Sequence, residues 1–293
     1  MPEIDAELSP PVGGRFIDGA RPWDIVRGYA NHLDRRLRLT FRRRRRLRRY
    51  LQLTPRVCRR QVLYDRKSGR RLELQVRDRV DLGTIDQVFL NEDYGLEKLA
   101  RCAELVAFRD AVLAAGKRPL IIDCGGNIGL ASRYFAENHP GATVLCIEPE
   151  HGNAEQARRN NPSPAVKVYE CAIGSEASHG RIIDPGWGNN AFRIDRSEGG
   201  GTQIIAINDL LLRHDPTEYV PFIAKIDIEG FEAELFTQNT EWIERFPLLI
   251  VELHDWMLPR SASTRPFLRA ISAQDRDFVY CGENAFSISN TLL

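Results

Sequence analysis

Four short stretches from residue 123 onward in this 293-residue chain combine residue types that bind or activate a ligand. The first is Asp123-Cys124-Gly125-Gly126-Asn127-Ile128-Gly129, which follows an apolar run. Glycines let the backbone turn tightly and approach a ligand closely. Amides opening the next helix can hold an anionic group such as a carboxylate or phosphate. The dinucleotide fingerprint G-x-G-x-x-G is not met, because Asn127 stands at its second glycine. The second stretch is VLCIEPE, with Glu148 placed roughly 20 residues beyond the glycine turn, as in a Rossmann-type unit. An acid at the end of a second strand accepts hydrogen bonds from the two hydroxyls of an adenosyl ribose. A glycine turn alone also serves packing, and a lone acid also serves as a solvated loop residue. Together they favour ribose binding.

The third stretch is Lys225-Ile226-Asp227-Ile228-Glu229-Gly230-Phe231-Glu232. Asp227 and Glu229 alternate, so on an extended strand they face the same side. Glu232 reads as a solvated acid in the first turn of a helix, where the dipole favours it. The fourth is Glu252-Leu253-His254, which closes the run LLIVELH. Histidine titrates near neutrality and is the commonest general base. His254 and Asp227 are expected on one rim, at the carboxyl ends of neighbouring strands.

The elements that carry these residues follow from the apolar pattern. From Pro119 onward, β-rich runs alternate with helical stretches: PLIIDCG, ATVLCIEPE, VKVYECAIG, FIAKIDIEG and PLLIVELH. Such continuous apolar runs suit buried parallel strands, and their alternation with helices predicts a doubly wound α/β sheet. DFVYCG and AFSIS, separated by Glu283 and Asn284, read as a terminal antiparallel hairpin. Upstream, residues 1–20 look like a loose tail, and residues 25–53 read as helix, ending before Pro55. VLYDR and RLELQV, with Lys67-Ser68-Gly69 between them, form a small hairpin. Residues 90–115 carry a helical pattern, with Gly116 at its C-terminus. The stretch 184–200, including Trp187, Asn189 and Asn190, is expected to help form an acceptor pocket. Its EGGG reads as a surface loop.

In this combination the residues resemble the FkbM family of methyltransferases. The resemblance rests on LIIDCGGNIGLAS, the IEPE segment, KIDIEGFE, IVELH and the closing GENAFSISN. Val88-Phe89 with Glu92-Asp93-Tyr94-Gly95 is also similar to the start of that family's domain. IIAINDLL stands where such proteins carry a Thr-Leu-Asp-Asp-Leu-like segment, with Asn208 departing from it. The likeness covers residues 85–293 and leaves residues 1–84 as an N-terminal helical and hairpin extension. It implies a Rossmann-like class I methyltransferase fold, S-adenosylmethionine as methyl donor, and a hydroxyl of a sugar or natural product as acceptor. It further implies cofactor binding by Tyr94, Asp123, Gly125, Gly126, Asn127, Gly129, Glu148 and Ala172, and catalysis by His254, Asp227 and Glu229. His254 and Asp227 are the candidate acid–base pair. A Mg²⁺ ion held by Asp227, Glu229 and His254 is the less favoured alternative, because one imidazole suits that ion poorly.

Composition narrows the remaining classes. Lys plus Arg number 41 and Asp plus Glu 40, for a net charge of +1. That balance hides a basic run, FRRRRRLRR, at residues 41–49. Consecutive arginines cannot share one helix face, so some are expected to meet solvent, an anionic partner or a membrane surface. No aromatic stacking pattern accompanies them, which argues against nucleic acid as substrate. A non-catalytic scaffold with an Arg-rich docking helix is the rival reading; the missing dinucleotide fingerprint argues against an oxidoreductase. No apolar run is long enough to span a bilayer, and no signal-like segment opens the chain. The six scattered cysteines form no C-x-x-C pair, and a reducing, cytoplasmic setting is expected.

Overall fold

The computed structural model describes residues 48–184, 186, 192–197, 199–256 and 260–293. The chain divides into two compact units, Met1–Leu82 and Gly83–Leu293. The basic run up to Leu47, the expected tail and most of the expected N-terminal helix lie outside the described residues, as do Trp187, Asn189 and Asn190.

In the first unit, three strands form an antiparallel sheet: β1 (Tyr50–Gln52), β2 (Arg60–Asp65) and β3 (Arg71–Gln75). The β2–β3 hairpin matches the expected one, with Tyr64 opposite Arg71. The expected helix to residue 53 is corrected here, because Tyr50–Gln52 is strand and pairs with β2. Tyr50 and Gln52 alternate inward, and Gln52 donates a side-chain hydrogen bond to Gln61 on the paired strand (2.6 Å). Arg49, the last of the arginine run, is committed inside this unit. Its guanidinium forks onto both oxygens of Asp65 at 2.8 Å. Burial opposes ionisation of Asp65, yet Arg49 and Ser68 hold its carboxyl well below the usual range.

The second unit is built on strands β4 (Arg118–Cys124), β5 (Thr143–Ile147), β6 (Val166–Tyr169), β7 (Ala172–Gly174) and β8 (Ser178–Ile183). They are followed by β9 (Arg193–Arg196), β10 (Thr202–Ala206), β11 (Tyr219–Ile226) and β12 (Leu248–Glu252). The last two are β13 (Arg276–Cys281) and β14 (Asn284–Ser289). Seven strands form the main sheet in the order β13-β14-β12-β11-β4-β5-β6. Strands β6, β5, β4, β11 and β12 are mutually parallel. β14 runs antiparallel between β12 and β13, as the terminal hairpin requires. This is the doubly wound α/β architecture with crossover helices, including Leu130–Asn138 after β4 and His151–Asn160 after β5. Its centre is apolar: Ile122, Leu145, Ala224 and Leu249 are fully buried, with Trp242 packed in the same cluster. Among the described residues, no helix is long and apolar enough to cross a membrane.

Two expectations need correction here. The helical pattern at residues 90–115 yields a helix only from Cys102 to Ala114. Upstream lie a π-turn at Asp86–Leu90 and a short 3₁₀ turn at Leu96–Lys98. Gly95, in an extended conformation, separates them. Gly116 ends the helix as expected, with φ +74° and its amide donating to the Leu113 carbonyl. VKVYECAIG is not one strand. It splits into β6 of the main sheet and β7 of a second, four-stranded sheet ordered β7-β10-β8-β9.

Candidate functional site

Strand register alone brings the chemistry-bearing residues to one edge of the main sheet. Cys124 lies opposite Ile147 on one side and Ile226 on the other, and Ile226 lies opposite Val251. One residue further along each strand, Glu148, Gly125, Asp227 and Glu252 therefore stand side by side, and Glu252 is opposite Asn284. All are at carboxyl ends of parallel strands, where open α/β sheets bind ligands. A single cavity is lined by Tyr94, Gly125, Asn127, Glu148, Ala172 and Asp227, among others.

The glycine turn is shaped by contact rather than by flexibility. Gly125 has φ +78°, and a Cβ there would lie 1.7 Å from the Asp227 carbonyl oxygen. Any side chain would push β4 and β11 apart at their ends. Asn127 also adopts a left-handed conformation, φ 47°, and its amide donates to Glu148 Oε2 at 2.7 Å. Its side-chain oxygen is buried with no hydrogen-bond partner among the described residues. A buried acceptor left open beside a cavity is what a donor group on a ligand would satisfy. Gly129 faces away from the cavity and lets the Leu130–Asn138 helix pack onto Ala157, where a Cβ would come within 2.9 Å. Asp123 does not line the cavity either; it is fully buried behind the turn and accepts from Ser132 at 2.6 Å.

Glu148 is 4% exposed. Besides Asn127, it accepts from the Glu150 amide at 2.9 Å. Burial pushes its pKa up to about 7 against these hydrogen bonds. The Asn153 side-chain amide adds a long contact to Oε1 at 3.4 Å. Two ionised oxygens offer about four lone-pair positions, so these three donors leave one open and one weakly held.

At the opposite end of the cavity, acids surround His254. β11 ends at Ile226, and Glu229 turns back with φ 55°. The expected extended run from Asp227 to Glu229 is thus replaced by a left-handed turn. It aims both carboxylates at one point: Asp227 Oδ1 and Glu229 Oε2 lie 3.6 and 3.7 Å from His254 Nε2. Glu252 Oε1 is also 3.7 Å from it. Glu232, expected in solvent, is 2% exposed. It accepts from the Ile228 and Gly230 amides, both at 2.9 Å, and faces His254 Nδ1 at 3.0 Å. The helix dipole therefore accounts for little of its placement; the tight turn before it needs an acceptor. Burial raises Glu229 to about 7 and Glu252 to about 8, with the Asp227 charge adding to both. For His254, burial opposes the charged form, but Glu232, Asp227 and Glu229 together raise its pKa to about 9.

Asp227, Glu229 and Glu252 line the cavity, whereas His254 does not appear on its wall. Lys225 was not singled out by sequence, yet it links the two ends of the site. Its register partner is Asp123. Its Nζ lies 3.1 Å from Asp123 Oδ1 and 3.3 Å from Asp227 Oδ2, and it donates to the Gly125 carbonyl at 2.8 Å. The Asp123 contact is an ion pair rather than an aligned hydrogen bond, since Oδ1 has no hydrogen-bond partner. A lysine inside the apolar run FIAKI was the available signal. From the 184–200 stretch, Phe192 and Ile194 reach the cavity wall.

Residues 123–280, more than half of the chain, match the family model for the methyltransferase FkbM domain. A curated protein, Methyltransferase 1 of Beauveria bassiana (strain ARSEF 2860), is 26% identical over 91 residues. That match spans 30% of this chain and 32%, about a third, of the relative. Among solved structures, the O-methyltransferase TomG from Streptomyces achromogenes, involved in tomaymycin synthesis and in complex with SAM, aligns with a TM-score of 0.39 at 12% identity. The alignment covers 71% of this chain and 89% of that one. The bifunctional kinase-methyltransferase WbdD aligns with a TM-score of 0.36 at 13% identity, over 70% of this chain and 42% of that one.

Proposed function

The chain belongs to the FkbM-domain methyltransferase family, and from that premise we propose that it transfers a methyl group from S-adenosylmethionine to a hydroxyl of a sugar or natural-product acceptor. One observation carries the reading: a single cavity has an adenosyl-type cradle at one end and a wall of carboxylates at the other. The cradle fits the cofactor. Glu148 takes the ribose hydroxyls at its one open lone-pair position and in place of the long Asn153 contact, and the open Asn127 oxygen suits the amino group of the methionyl end. Tyr94 and Ala172 add apolar wall to the same cavity.

When bound, the cofactor supplies an already activated sulfonium methyl, so that an oxygen–carbon bond forms as the carbon–sulfur bond breaks and a neutral thioether departs. The protein's part is orientation and removal of the acceptor's proton. Asp227 and Glu229 open onto the cavity and are the groups placed to take that proton. His254 lies behind them; raised to about 9, it carries a proton at neutral pH unless another cation replaces it, and a protonated imidazole accepts none. In this reading His254 orients the two carboxylates, and Lys225 holds Asp227 from the other side.

Calorimetric titration with S-adenosylhomocysteine and, separately, with NAD tests the proposal. Saturable one-site binding of the first and none of the second is expected; the reverse pattern overturns it. The affinity also carries a pH signature. Only ionised Glu148 accepts from both hydroxyls, and its pKa is raised to about 7. Binding should therefore tighten as pH rises through that value, by about tenfold between pH 6 and pH 8. A flat or inverted profile would remove Glu148 from the ribose.

A further inference from the structure

We propose that Asp227, Glu252 and His254 form a binding site for one divalent first-row metal ion of the Mn²⁺ type, with Glu229 beside it. One oxygen or nitrogen from each of the three lies within 4.8 Å of the others. They come from the ends of two adjacent parallel strands, so the register that builds the sheet also builds the cluster.

The acids alone would not make a site; the histidine does. The His254 side chain is 1% exposed, and its Nε2 makes no hydrogen bond to any described residue. Three carboxylate oxygens surround that nitrogen at 3.6, 3.7 and 3.7 Å, each too far for a hydrogen bond. Nδ1, by contrast, is held at 3.0 Å by Glu232, whose own oxygens are fixed by two backbone amides. A carboxylate behind one ring nitrogen fixes the tautomer and turns the other nitrogen's lone pair outward, as it does for metal-bound histidines.

Charge points the same way. Asp227, Glu229, Glu232 and Glu252 converge on one imidazole, and the nearest lysine, Lys225, is shared with Asp123. Metal bonds of about 2.1 Å place ligand atoms roughly 3 Å apart at right angles and roughly 4.2 Å apart across the ion, so the 3.6 and 3.7 Å separations from the imidazole need to shorten by about 0.7 Å while the two carboxylates can stand wider. Carboxylate oxygens suit Mg²⁺ and Mn²⁺, and the imidazole shifts the choice toward the latter. The carboxylate side chains are 19–22% exposed and face the cavity, which provides an access path. Resting on the methyl-transfer reading, the ion's open positions would take the acceptor oxygen and polarise it. Ion binding itself does not depend on that reading.

The test is titration of the full-length, cofactor-free chain with Mn²⁺, following the free-ion signal by electron paramagnetic resonance. One equivalent should bind, and pulsed spectra should show nitrogen coupling from a single imidazole. Asp227→Asn and Glu252→Gln should each weaken binding at least tenfold, and His254→Gln should abolish the nitrogen coupling. Glu155→Gln, on an exposed helix face, should change nothing. Circular dichroism and thermal midpoints establish that each variant is folded. For any variant that is not, the nitrogen coupling of the wild-type protein decides. Absence of Mn²⁺ binding at millimolar free ion, or binding without nitrogen coupling, overturns the site. S-adenosylhomocysteine titration of the same metal-free sample reads the cofactor proposal independently.

Discussion

Lys225→Met is expected to lower the unfolding free energy by about 3–5 kcal/mol, the cost of breaking a buried ion pair from one side. The lysine side chain is 3% exposed and lies between Asp123, with no exposure, and Asp227. Burial works against its charge, but the two carboxylates win and raise its pKa well above the usual value. Methionine preserves the length and the packing against Tyr94, whose ring lies 5.9 Å from Nζ. It leaves the Asp123 charge with only Ser132 for company, and strips the Gly125 carbonyl of a donor. Urea unfolding monitored by tryptophan fluorescence measures the loss. Adding Asp123→Asn should recover part of it, because the orphaned charge is then gone. A loss below about 1 kcal/mol, or a double variant no better than the single one, would mean that Lys225 does not hold the strand ends together.

The second large effect concerns Glu148. Glu148→Ala should weaken S-adenosylhomocysteine binding by about 1.5–3 kcal/mol, roughly 10- to 150-fold in dissociation constant, if its carboxylate takes both ribose hydroxyls. The substitution also deprives the Asn127 and Glu150 amides of their acceptor. Glu148→Gln separates the two consequences, since its amide oxygen still serves one backbone donor. It should restore stability toward wild type while affinity stays weak and loses its pH dependence. Affinity within twofold of wild type in a folded Glu148→Ala protein would contradict the assignment.

The sequence made the main sheet readable because buried parallel strands are apolar on both faces. PLIIDCG, ATVLCIEPE, FIAKIDIEG and PLLIVELH stand out for that reason, and their ends mark the rim. The four-stranded second sheet was not visible. Its strand β8 is only partly buried and its members are short, so no continuous apolar run announces them. Tyr50–Gln52 was hidden in helix-favouring neighbours, since three residues are too few to reveal an alternation of period two. Asp227, Glu229 and His254 could be named from residue type and strand position. Their mutual geometry could not, because the left-handed turn at Glu229 and the burial of Glu232 beneath it are tertiary facts. Lys225 and Asp123 are far apart in sequence, and only the pairing of β4 with β11 makes them neighbours.

A crystal structure of the protein with S-adenosylhomocysteine tests the central claim most directly. The account predicts the ribose hydroxyls on the Glu148 carboxylate and the amino-acid end against the turn at residues 125–129. It also predicts the sulfur facing the cavity wall formed by Asp227 and Glu229. A ligand seated elsewhere, or one whose ribose lies away from Glu148 with its sulfur turned from Asp227, would contradict it.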